Sequence, residues 1–129
     1  MRCKLSLIAL VAMGGAAPLA AADISFARDI APLLESQCAS CHMTGQEPGK
    51  LALGSGKAYA SLVNHAASEA PMKRVTPGDA DASYVLHKLD GTHSEAGGQG
   101  VRMGFGAKPL SLAQRQMIRA WILAGAPNN

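Results

Sequence analysis

Large side chains are scarce in this sequence. Only five of its 129 residues are aromatic: Phe26, Tyr59, Tyr84, Phe105 and Trp121. A chain of this size buries a modest core at best, so its own side chains leave that core short of apolar volume. Cysteine is scarcer still, at three, which excludes a disulfide-dense scaffold. There is no second C-x-x-C pair to complete a zinc site, and no internal repeat or linker. No apolar run reaches the roughly 20 residues that cross a bilayer, because Gly14, Gly15 and Pro18 interrupt the one beginning at Leu5. That opening reads instead as a secretory signal, with Arg2 and Lys4 leading, an apolar stretch from Leu5 to Met13, and small residues at Ala20-Ala21-Ala22. Cleavage after Ala22 divides the chain into a signal, residues 1–22, and a domain, residues 23–129, whose only thiols are Cys38 and Cys41. Loss of Arg2 and Lys4 takes the 12 basic residues to 10 against 9 acidic ones. A net charge near +1 gives no case for nucleic acid, and no stable membrane span remains.

What the chain does contain is Cys38-Ala39-Ser40-Cys41-His42. C-x-x-C-H reads as a c-type haem attachment site. Each thiol can form a thioether to one edge of a porphyrin, and the next imidazole then lies within reach of the iron. A structural disulfide or a redox dithiol would make no use of His42. A redox pair also follows a buried strand, whereas Leu33 to Gln37 reads as the end of a helix. A porphyrin would fill the space that the missing aromatics leave, so the haem-free chain is expected to be poorly folded. Its two propionates would bring the holoprotein close to neutral.

Around the motif the pattern is helical. Asp29 is expected to cap a short helix through Leu34, with Pro32 tolerated in the first turn. Met43 to Gly56 reads as loop, and a backbone carbonyl there, Pro48 the candidate, can accept the His42 Nδ1–H. Lys57 to Asn64 carries a second helix on Tyr59, Leu62 and Val63. Asp81 is expected to cap a third, with Tyr84, Val85, Leu86 and Leu89 inward and its end at Asp90-Gly91. Gly91 to Gly106 is too glycine-rich for a regular element and must be held by what it touches. The last helix opens on a capping box, Ser111 with Gln114, and closes at Gly125. Leu112, Ile118, Trp121 and Ile122 are expected on one side of it. The fold class is all-α, with four or five short helices.

The second iron ligand decides the chemistry. Met43 adjoins His42 and cannot easily cross to the other face, and Met117 lies within the last helix. Met103 is the first choice, in a glycine-rich segment before that helix, with Met72 and His93 as alternatives. Methionine ligation raises the reduction potential. Lys73, Arg74 and Arg102 are candidates for a docking rim or for propionate partners, and a solvated surface is the plainer reading of each.

The chain resembles the class I, single-haem c-type cytochromes, in particular bacterial cytochrome c domains. The likeness runs through Phe26-Ala27-Arg28-Asp29-Ile30-Ala31-Pro32-Leu33-Leu34 before the motif, Pro77-Gly78-Asp79 with Ser83-Tyr84, Met103, Leu110-Ser111, and the closing Trp121-Ile122-Leu123-Ala124-Gly125-Ala126. It implies a cytochrome c-like fold wrapped around one covalent haem c, held by Cys38 and Cys41 with His42 and Met103 as axial ligands. It also implies haem attachment after export, a periplasmic location, and one-electron transfer between protein redox partners rather than catalysis. The alternative is a haem enzyme or gas-binding cytochrome with an open or exchangeable distal site. One departure stands out, since the family's Met is usually followed by Pro and here by Gly104, which loosens the ligand loop.

Overall fold

The computed structural model describes residues 24–54, 56–106 and 108–129. The expected signal, residues 1–22, lies outside the described residues. Phe26–Ile30 wind as a π-helical turn that passes directly into α1, Ala31–Cys38. Ser25, not Asp29, caps this run: its Oγ accepts from the Arg28 N–H at 3.2 Å, while its own N–H donates to Asp29 Oδ2 at 2.8 Å. The extra turn moves the start upstream, so Asp29 reaches back from inside and satisfies a donor that would otherwise be left open. Pro32 sits in the first turn of α1, directly after the π-helical turn, and brings no N–H to that run.

The second helix, α2, is shorter than the periodicity implies, at Ala58–Leu62. Val63 turns extended and pairs with Val75 in an isolated bridge, and Asn64 takes φ 58°. Long-range pairing with residues 73–75 wins there over the helical pattern. In α3, Tyr84–Asp90, Ser83 stands at the N-cap rather than Asp81. The Ser83 hydroxyl donates to the Asp79 carbonyl at 2.7 Å, and Asp81 pairs with Arg119 at 2.9 Å. The helix stops at Gly91 in the left-handed region, as expected.

The longest helix, α4, spans Leu112–Leu123 and has the expected capping box, with Ser111 and Gln114 each bonded to the other's backbone N–H. Its far end is a complete Schellman motif: Gly125 N–H reaches the Ile122 carbonyl at 2.9 Å and Ala126 N–H the Trp121 carbonyl at 3.0 Å. Ile118, Trp121 and Ile122 face inward. Leu112 does not, and is 61% exposed. Six residues before Ile118, it lies about 240° round the helix, off the buried stripe.

Architecture among the described residues is helical, with extended pairing confined to isolated bridges. None of these helices is long and apolar enough to cross a membrane. Three of the five aromatics meet in one corner, with Phe26 5.1 Å from Tyr59 and 5.3 Å from Trp121, ring centre to ring centre. The corner is closed by the last residues of the chain. Tyr59 Oη donates to the Ala126 carbonyl, Trp121 Nε1 to the Pro127 carbonyl, and Ala27 N–H to the Asn129 carbonyl. Leu34, Leu53, Leu62 and Leu89 carry the buried core away from this corner toward a cavity on the other side.

Candidate functional site

The motif begins where α1 ends. Cys38 is the last residue of the helix, and the turn continues through Cys41 and His42, whose N–H groups both reach the Cys38 carbonyl, at 3.2 and 3.0 Å. Leu53 and Gly54 then return alongside, bonding to the His42 and Met43 carbonyls at 2.8 and 3.1 Å. Gly54 allows that approach, since a Cβ there would lie 2.6 Å from Met43 Sδ. Cys38 is half-buried, Cys41 exposed, and both are free thiols. Burial, followed by the neighbouring Cys41, pushes the Cys38 thiol up to about 11.

Cys38, Cys41, His42 and Met103 all line one cavity of about 650 Å³. That volume falls within the roughly 300–1,000 Å³ of small-molecule and cofactor sites. Leu34, Leu51, Leu53, Leu62, Val85 and Leu89 supply apolar walls. The other methionines and histidines of the described residues lie elsewhere. Met43, Met72, Met117, His65, His87 and His93 are not on the cavity wall. His93 is buried with Nε2 on the Gly100 carbonyl at 3.0 Å, and His87 bonds Thr92 and the Asp81 carbonyl. Among the described residues no three His, Cys, Asp or Glu side chains converge as a metal cluster.

The imidazole of His42 has its Nδ1 buried without a hydrogen-bond partner, so the expected bond to the Pro48 carbonyl is not made, although Pro48 lines the cavity. Burial holds the His42 pKa below its usual value, with Lys88 and Arg74 acting the same way and Glu47 and Glu69 opposing. The ring is therefore biased toward the neutral form that a metal ligand needs. The loop after it is tightly tied. The Glu47 carboxylate accepts from Thr44 N–H, Thr44 Oγ1 and Gly45 N–H at 2.9–3.1 Å.

Two charged side chains on the wall are buried, Arg74 against the solvated-surface reading and Lys88 without any expectation attached to it. Arg74 is 6% exposed, not a surface residue, and spends its guanidinium on the carbonyls of Ser61, Gly49 and Lys50 at 2.7–2.9 Å. It holds the loop beside His42 against α2. Lys73 is exposed and donates to Asn64 Oδ1, while Arg102 Nε donates to the Leu89 carbonyl. Lys88 is buried in the last turn of α3, and its only sequence signal was a lysine four residues after Tyr84 on the inward face. Comparison with protein-family models, curated proteins and solved structures found no match.

The residues present suit a porphyrin iron. Two thiols, an imidazole and a thioether stand on one apolar-walled cavity of cofactor size, and the imidazole's Nδ1 is turned into the protein.

Proposed function

We propose that the chain is a single-haem c-type cytochrome of class I fold, exported to the periplasm, that carries one electron at a time between protein partners. The observation that carries this reading is the selection at the cavity. Of the described histidines and methionines, His42 and Met103 are the ones that share its wall with both motif cysteines. Cys38 and Cys41 would hold the haem covalently, His42 Nε2 and Met103 Sδ would bind its iron, and the leucine and valine walls would exclude water. Bound there, the haem supplies a single centre that accepts and returns one electron. If His42 and Met103 both bind the iron, no position on it would be left for a substrate, and the activity would be transfer rather than catalysis. Phe105, 78% exposed, and Val101, 49% exposed, lie at the mouth, where a partner would approach.

Visible spectra of oxidised and reduced protein, with mass spectrometry of the exported form, test the proposal. One added haem, loss of residues 1–22 and a sulfur-to-iron charge-transfer band in the oxidised spectrum are expected. A colourless protein of unmodified mass would end it. Rapid binding of carbon monoxide to the reduced form would point instead to an open or exchangeable distal site.

A further inference from the structure

The Met103 segment has little stiffness of its own. Gly104 follows at φ 96°, and a side chain there would meet the backbone of Pro109 at 2.9 Å, so this position can be neither branched nor braced. What holds the segment is α3, and chiefly one residue. The Lys88 carbonyl, among the last four of the helix and so without an intrahelical partner, accepts the Met103 N–H at 2.9 Å. Its Nζ donates to the Gln99 carbonyl at 2.9 Å and lies 3.6 Å from Glu69 Oε2. Two points of the loop, four residues apart, are thereby tied to a single position. The side chain of Lys88 is 9% exposed. An ammonium so buried is costly unless it is bonded and paired, and an apolar residue would fill the same space without that cost.

We propose that Lys88 is a positioning residue that sets the Met103 thioether in the cavity. It restrains the loop that carries the ligand and does not itself touch the iron. Its neighbours share the load: Arg102 Nε bonds the Leu89 carbonyl at 3.0 Å, and His93 Nε2 the Gly100 carbonyl at 3.0 Å. Gly100 leaves room for the ammonium, since a Cβ there would lie 3.3 Å from Nζ. The inference rests on Met103 being an iron ligand, as proposed above.

The test is competition for the iron. Imidazole is titrated into oxidised, full-length holoprotein, following loss of the sulfur-to-iron charge-transfer band. In Lys88→Met, imidazole should displace the thioether about tenfold more readily, the equivalent of one charge-assisted hydrogen bond. Lys88→Arg, which keeps charge and donor, should stay within about threefold of the parent. If Lys88→Met does not accumulate as holoprotein, Lys88→Gln, shorter and uncharged, takes its place with the same expectation. A parent protein without the band would remove Met103 as ligand and with it the proposed site. A parent with the band, and a Lys88→Met or Lys88→Gln variant within twofold of it, would overturn the role of Lys88 alone. Equal weakening in Lys88→Arg would overturn it as well, by reducing the effect to packing.

Discussion

Replacing Arg74 by alanine should be among the most damaging single changes outside the motif. Its guanidinium makes four hydrogen bonds, to Ser61 O at 2.7 Å, Ser61 Oγ at 3.2 Å, and Gly49 and Lys50 O at 2.9 Å each. Bonds from a charged donor are usually worth more than neutral ones, but Gly49 and Ser61 are only half-buried and Lys50 is exposed, so water can replace part of each. Taking about 1 kcal/mol per bond gives a loss of about 4 kcal/mol. That is a large share of the 5–15 kcal/mol that holds a domain of this size together, and corresponds to a fall in Tm of about 15–30 °C. Urea denaturation of the holoprotein, followed by far-ultraviolet circular dichroism, measures it directly. Arg74→Lys should lose about half as much, because a single ammonium cannot bridge both segments as the planar fork does. The loop that Arg74 holds also touches the site, since a Cβ on Gly49 would come within 3.7 Å of His42 Cε1. A loss below about 1 kcal/mol in Arg74→Ala, the size of a single bond, would refute the reasoning.

Three smaller effects follow from local contacts. Ser111→Ala removes the Oγ acceptor for the Gln114 N–H and should cost about 1 kcal/mol in the same urea assay, with no change in the haem spectrum. Tyr59→Phe deletes the hydroxyl that donates to the Ala126 carbonyl at 2.8 Å, again about 1 kcal/mol, and should raise hydrogen exchange in the closing residues first. The Glu47 carboxyl is held down to about 2 from an ordinary 4.5, chiefly by its own backbone amide and then by the Thr44 hydroxyl and the Thr44 and Gly45 amides, with burial opposing. A depressed carboxyl contributes stability that is fully present above the unfolded value and lost as pH falls through the folded one. The parent should therefore be more stable than Glu47→Gln at pH 6, and acid titration should show the two curves converging between pH 4.5 and about 2. Curves that stay parallel across that window would show that the carboxylate contributes nothing there.

Sequence reasoning succeeded where the signal is local. The α4 capping box and the glycine that ends the helix are written within a few residues of each other, and both occur as read. Cys38, Cys41, His42 and Met103, singled out by their side-chain chemistry, come to share one cavity wall, a juxtaposition that only the fold supplies. The helices expected to start at Asp29 and Asp81 start instead after Ser25 and Ser83, and the choice depends on partners elsewhere: Asp29 bonds the Ser25 N–H from inside the turn wound ahead of α1, Ser83 turns its hydroxyl to the Asp79 carbonyl, and Asp81 pairs with Arg119, 38 residues away. Lys88 and Arg74 were hidden for the same reason. Each is a cation whose partners, Gln99 and Glu69 for one, Gly49 and Lys50 for the other, come from 11 to 25 residues away. Charge alone suggests a solvated surface for Arg74 and singles out Lys88 not at all, and only the fold shows the carbonyls that draw them in.

The orientation of α1 bears on why the motif stands where it does. A C-x-x-C pair used for redox exchange needs a nucleophilic thiolate, which the N-terminal end of a helix favours. Here the first thiol sits at the opposite end. Cys38 closes α1, at the carbonyl end of the helix, whose partial negative charge disfavours a thiolate. Burial and Cys41 add to this and push Cys38 up to about 11, so at neutral pH the thiol stays protonated. A protonated thiol is a poor partner for disulfide exchange. The same helix also carries Leu34 into the cavity wall and follows directly on Phe26 and Ile30, which are buried in the core. One short element thus connects the aromatic corner, which the chain closes by itself, to the apolar cavity, and delivers at the junction a thiol guarded from exchange. That arrangement sets the first thiol of the motif on the apolar wall and holds that thiol, on its side of the pair, back from reversible exchange.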